Sequence, residues 1–225
     1  MHKYIVELFG TFLLAIAVTW TGNPIAIGLI LAAAIVIGGH ISGGHYNPAV
    51  SLALFMRNKL SSYDLGLYML AQTGGAFCAV LLFYILTGTV FSADIAPELP
   101  LWIALFMEMV LTMTFALVIL TLVCQHYAHA DNSTYSSSFN QPRTGSFTPV
   151  NLHNPMLIGF TLVSIAFIGG LFNPAIGAAS IINGMLKGGT ADQMQQLLVH
   201  VVAPLVGGAV ASLAYGWLHS DHKHA

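Results

Sequence analysis

Two triplets stand out for their chemistry and their repetition: Asn47-Pro48-Ala49 and Asn173-Pro174-Ala175. Asparagine is a good helix N-cap, and proline suits the first helical position, where its missing N–H would go unpaired anyway. Each triplet follows a glycine pair, Gly43-Gly44 and Gly169-Gly170. Such a pair permits an extended backbone whose carbonyls can point at a passing solute. Glu7 and Glu108 form a second repeated pair, each inside an apolar run. An ionisable group in such a setting marks function by default. His40 and His45 are metal-ligand types, but no third or fourth ligand stands at a suitable spacing, so packing and hydrogen bonding are expected of them. The terminal His219, His222 and His224 read as a tail rather than a metal site, and Cys78 and Cys124 as small buried hydrophobes. No nucleophile–base or metal constellation is present, so an enzyme is not expected, nor any cofactor.

These residues must be positioned by elements suited to lipid. Only 6% of the 225 residues are charged, against roughly 25% in a soluble domain, and the mean hydropathy is +0.79. Most of the surface must therefore face something other than water. The net charge of -2 points to no nucleic-acid partner. Apolar runs lie near 4–20, 25–40, 63–88, 99–124, 155–169 and 195–218, and about 20 apolar residues make one helical crossing. The runs are continuous rather than alternating, which selects helices over a barrel. The first run contains Glu7 and leads straight into the second, so it reads as a retained span and not a signal peptide. Thr21-Gly22-Asn23-Pro24 is a tight turn between spans one and two, whereas the polar stretch 125–154 reads as a flexible loop between spans four and five.

The halves echo each other. Glu7-Leu-Phe-Gly-Thr11 matches Glu108-Met-Val-Leu-Thr112, and both triplets share the pattern Gly-Gly-x-aromatic-Asn-Pro-Ala-aliphatic. Three spans per half place the second copy upside down, with repeats near 1–88 and 99–218 in a single domain of 1–225. Inverted repeats with interrupted helices put a transport site at the midplane. Val50 to Met56 and Ile176 to Met185 are each long enough for half a crossing only. Irregular backbone at that depth is tolerated only where protein or water surrounds it, so a wet pathway is implied. Lys3, Arg57, Lys59, Arg143 and Lys223 fall on one side of such a topology and Lys187 on the other, which predicts cytoplasmic termini. Small residues in spans three and six, among them Gly74, Gly75, Gly207 and Gly208, permit close helix approach within the chain or between subunits.

The paired triplets, the run His40-Ile-Ser-Gly-Gly-His-Tyr-Asn-Pro-Ala-Val, and Glu7 with Glu108 together resemble the aquaporin and glycerol-facilitator family over nearly the whole chain. The resemblance implies an all-α membrane protein of six transmembrane helices plus two re-entrant half-helices. It implies a homotetramer in the plasma (inner) membrane, each monomer having its own pore. Asn47 and Asn173 would donate to solute or water, and carbonyls of Gly43, Gly44, His45, Gly169, Gly170 and Leu171 would form an acceptor ladder. Glu7 and Glu108 would hold the re-entrant backbone, which suits buried carboxylates in need of partners. The half-helix N-termini, each carrying roughly +0.5 charge, would oppose cations and protons.

One departure is marked. Family members normally place arginine directly after the second triplet, and here that position is Ile176. The remaining filter positions fall on Ile27, Gly170 and, from span five, Ala166 by matching the helix start or Thr161 by counting back from the triplet. Ile27, Ala166, Gly170 and Ile176 make a filter with no fixed charge. The expected function is passive conduction of water or small neutral solutes such as glycerol, urea or ammonia. The alternatives are an ion-coupled transporter built on inverted repeats, or a non-conducting relative of the same fold.

Overall fold

The computed structural model describes residues 1–93, 95, 99–130, 153–186 and 193–219. The helices among them are α1 (His2–Thr21), α2 (Pro24–Ser42), α3 (Pro48–Met56), α4 (Ser62–Thr87), α5 (Leu101–Ala130), α6 (His153–Ile168), α7 (Pro174–Leu186), α8 (Gln193–Leu197) and α9 (Ala203–Leu218). A π-helical turn, Leu198–Val202, joins α8 to α9. Five stretches are long and apolar enough to cross a bilayer: α1, α2, α4, Leu101–Cys124 of α5, and the α8–α9 run. The sixth, α6, has 16 residues and rises about 24 Å, short of the roughly 30 Å hydrocarbon core.

Local sequence explains the boundaries. Gly22 closes α1 at φ +54, and the Asn23 side chain then caps α2 by accepting from the N–H of Ile25 at 2.9 Å and of Ala26 at 3.3 Å. α5 continues to Ala130, further than the predicted run. Of the predicted loop 125–154, residues 125–130 belong to α5 and 153–154 to α6; residues 131–152 lie outside the described residues, with Arg143, and so do Asp94, Glu98, Lys187 and Lys223.

α3 and α7 are the short elements, of 9 and 13 residues. Their lengths are about 14 Å and about 20 Å, which together match one crossing. They touch each other at the interior of the bundle, α3 packed on α9 and α4, α7 on α4 and the π-turn. Around them α1 packs on α4 and α2, α5 on α9, and α2 on α6.

Two glycines fix these packings in a repeated way. A Cβ on Gly75 of α4 would collide with the Leu8 carbonyl of α1, and one on Gly207 of α9 with the Met109 carbonyl of α5. Gly208 lies against the Ala49 carbonyl of α3 in the same manner. These small residues therefore serve contacts inside one chain. Large apolar side chains such as Phe9, Leu70, Phe106 and Leu213 face outward. Trp20, Trp102 and Trp217 are exposed near helix ends, the level at which indole rings prefer a membrane–water interface.

Candidate pore

The two triplets meet, and each braces the other. Asn47 Oδ1 accepts from the N–H of Ala49 at 2.8 Å, capping α3, and Asn173 Oδ1 accepts from Ala175 at 3.1 Å, capping α7. Across the junction, Asn47 Nδ2 donates to the Phe172 carbonyl at 2.8 Å, and Asn173 Nδ2 donates to the Tyr46 carbonyl at 2.9 Å. A primary amide has two N–H donors. The crossed bond uses one on each asparagine and leaves the second for the cavity that both residues line.

The accepting carbonyls are aimed by strained backbone. Tyr46 and Phe172 sit at φ +49 and +53, a region that non-glycine residues rarely enter. Such strain persists where the surroundings over-determine it. Here the glutamates do so. Glu7 accepts from the backbone N–H of His45 at 3.0 Å and of Tyr46 at 2.7 Å. It also accepts from Ser42 Oγ at 2.6 Å and Gln72 Nε2 at 2.8 Å. Glu108 accepts from the N–H of Leu171 at 2.7 Å and of Phe172 at 2.9 Å, and its Oε1 lies 3.0 Å from His200 Nδ1. Both carboxylates are buried. The Tyr46 ring runs through a slot left open by Gly10 and Gly38, and its hydroxyl donates to the Ala34 carbonyl at 2.9 Å.

A cavity of ≈ 690 Å³ opens on one side of the junction, lined in part by Gly43, Gly44, His45, Lys3, Lys59 and Asp64. Lys3 pairs with Asp64 at 2.8 Å at its mouth. On the other side a narrow cavity of ≈ 20 Å³ holds Asn47 and Asn173, which is room for about one water. His45, Leu31 and Phe115 line both.

Of the predicted filter residues, Ile27 and Ile176 stand on the narrow cavity. Neither Ala166 nor Thr161 is on its lining; α6 presents Leu162 there instead, and the second re-entrant loop presents Leu171 rather than Gly170. The Thr161 hydroxyl donates to the Leu157 carbonyl at 2.8 Å. Gly169 and Gly170 are exposed at φ +113 and +121. His40 is exposed, and His45 Nδ1 lies 3.0 Å from Ser51 Oγ. No group of metal-ligand side chains gathers among the described residues. His219 Nδ1 donates to the Tyr215 carbonyl at 2.9 Å, and His222 and His224 lie outside the described residues.

Sequence reasoning missed Ser42, Ser51, Gln72, Leu162 and His200. A polar or ionisable residue inside an apolar run is itself a signal, and it would have found Gln72 and His200. Nothing in the pattern of α6 distinguishes Leu162 from its neighbours.

A profile of the family described as Major intrinsic protein matches residues 11–215. The glycerol uptake facilitator protein-like 6 of Lactiplantibacillus plantarum is 31% identical over 232 residues, covering 94% of this chain and 95% of its own length. The aquaglyceroporin of Toxoplasma gondii is 27% identical over 235 residues, covering 99% of this chain and 81% of its own. Among solved structures, the X-ray structure of the aquaglyceroporin from Plasmodium falciparum matches with a TM-score of 0.72 at 25% identity, covering 95% of this chain and 94% of the other.

Proposed function

The chain belongs to the major intrinsic protein family, and from that premise we propose that water and small neutral solutes pass through the junction of α3 and α7 in each copy. It is an integral, multi-pass membrane protein and a passive channel, not an enzyme. The observation that carries the route is the crossed amide pair, which leaves one donor on Asn47 and one on Asn173 toward a cavity of ≈ 20 Å³. A space of about one water favours single-file passage. The carbonyls of Gly43, Gly44, His45, Gly169, Gly170 and Leu171 supply acceptors along the way. Both half-helix N-termini point positive dipole ends at the same place, which supports exclusion of cations.

The filter reading rests on Ile27 and Ile176, which line the narrow cavity; Ala166 and Gly170 are not on its lining, where Leu162 and Leu171 stand instead. With isoleucine where the family normally has arginine, the constriction has no fixed charge to orient a solute. Selection then falls to size and to the two amides. Assembly as a homotetramer, cytoplasmic termini and residence in the plasma (inner) membrane follow from the family likeness. Lys3 and Lys59 at one cavity mouth support the orientation. Glu7 and Glu108 are both engaged by loop N–H groups, which counts against their use as ion sites in a coupled transporter.

Stopped-flow swelling of proteoliposomes, with water, glycerol, urea and ammonia in turn, tests the reading. Permeability above that of empty vesicles for water and at least one solute is expected. No excess for any of them sinks it.

A further inference from the structure

The first half of the repeat carries a string of polar side chains that the second half lacks. His45 stands where the second half has Leu171, and Ser51 where it has Gly177. The remaining pair is Gln72 and Pro204, each three residues before a glycine, Gly75 or Gly207, in an equivalent packing. Leucine, glycine and proline have no side-chain group that hydrogen-bonds. In the first half the polar residues are linked: Gln72 Nε2 lies 2.9 Å from Ser51 Oγ, and Ser51 Oγ lies 3.0 Å from His45 Nδ1. In the second half a Cβ on Gly177 would collide with the His200 carbonyl, so a serine does not fit there. The polar residues are exchanged together.

The buried end sets the direction of these bonds. Glu7 accepts from Ser42 Oγ, from the N–H of His45 and Tyr46, and from Gln72 Nε2. The Gln72 amide must turn its nitrogen toward that carboxylate, and its second N–H goes to Ser51. Ser51 Oγ thus accepts from Gln72 and still has its own hydrogen to give. Among the described residues His45 Nδ1 is the acceptor in place for it. An imidazole that accepts at Nδ1 carries its hydrogen on Nε2. That nitrogen has no hydrogen-bond partner among the described residues, yet it is not sealed in the core. The Tyr68 ring packs edge-on against the imidazole at 5.1 Å. A Cβ on Gly43 would stand 3.0 Å from Nε2, and glycine keeps that approach clear. Leu31, His45 and Phe115 line both the wide and the narrow cavity, and of these the histidine is the polar one.

We propose that His45 is a specificity-determining residue of the pore: its Nε2–H meets the solute where the wide cavity narrows and favours organic molecules bearing a hydroxyl or carbonyl oxygen. This deepens the channel reading above and rests on it. A solute leaving the wide cavity sheds water from its oxygen, and an acceptor left unpaired there is penalised. The imidazole N–H takes the place of that water before the Asn47 and Asn173 amides are reached. Water in single file can find the same donor on the next water molecule. A larger solute that fills the cross-section has the wall alone, so it depends on the histidine more than water does.

Two substitutions separate the two ends of the ring. His45→Asn places an oxygen near the position of Nδ1 and keeps the Ser51 bond, but ends short of the position of Nε2. His45→Gln places an N–H near the position of Nε2 and leaves the Ser51 hydroxyl without its acceptor. Proteoliposome permeability to water, glycerol and urea is measured beside thermal unfolding in detergent. The asparagine variant is expected to unfold like the wild type, yet to lose glycerol or urea permeability severalfold relative to water. The glutamine variant is expected to unfold at a lower temperature, yet to keep the wild-type ratio. An unchanged ratio in the asparagine variant overturns the proposal alone, as does an equal or larger loss in the glutamine variant. So does a wild type that passes water but neither glycerol nor urea. A wild type no more permeable than empty vesicles to any of them overturns the channel reading as well. If either variant fails to assemble, nitrogen NMR of the wild type labelled in its imidazole rings decides. Hydrogen on Nε2 of His45 supports the proposal, and hydrogen on Nδ1 overturns it.

Discussion

Asn173 donates its side-chain N–H to the Tyr46 carbonyl, 127 residues away in sequence, at 2.9 Å. Asn47 returns the bond to Phe172 at 2.8 Å. Each half therefore supplies a polar atom that the other half needs, and the junction of α3 and α7 is a mutual hydrogen-bonded lock rather than two independent loops.

Breaking that lock on one side gives the first prediction. Asn173→Asp keeps an oxygen to cap Ala175 but has no N–H for Tyr46 and adds a buried charge. Leaving a buried acceptor unpaired costs about 1–3 kcal/mol. A lower unfolding temperature and a severalfold loss of water permeability are expected, read by thermal denaturation in detergent and by stopped-flow light scattering. Wild-type values in both would contradict the role given to the crossed pair.

Glu7 gathers four donors. Glu7→Gln leaves one oxygen for them and turns an N–H toward the rest. At roughly 1–3 kcal/mol per orphaned buried group, a loss of at least about 2 kcal/mol is expected. Gln72→Leu removes only one of the four and is expected to be milder. Thermal unfolding of the two variants side by side checks the order, and the reverse order would contradict the network.

Ile176→Arg places a cation on a cavity of ≈ 20 Å³ where the wild type has an isoleucine that is 1% exposed. Narrowing and added charge are expected to reduce glycerol flux more than water flux and to lower any proton leak. Parallel swelling and pH-dye assays measure these. Identical fluxes in both proteins would remove Ile176 from the constriction.

Leu162→Ala trims the α6 wall of the same cavity. Glycerol flux is expected to rise relative to water, whereas Thr161→Ala and Ala166→Gly leave the ratio unchanged. A change in the ratio at Ala166 or Thr161, without one at Leu162, would return the span-five position to the residues read from spacing.

Much of this was legible in the chain before folding. The six apolar runs, the half-length segments after each triplet, and the repeated Glu7 and Glu108 all follow from one-dimensional pattern. Capping, proline placement and hydropathy act over a few residues, and each of these elements is set by its own few residues. Gln72 and His200 were visible as polar residues in apolar runs, but their partners were not.

What the amino-acid order alone determined is therefore the set of long apolar helices, the two half-length helices and the repeated motifs at which these begin. Only the tertiary structure decided which atoms meet: that the asparagines cross-brace the opposite carbonyls, that Leu162 rather than Ala166 reaches the narrow cavity, and that Gln72 stands against Glu7 and His200 against Glu108. The reason is geometric. Helix rotation and a single π-turn shift a side chain by a fraction of a turn, and that fraction depends on contacts such as Gly207 on Met109, which join residues far apart in the chain.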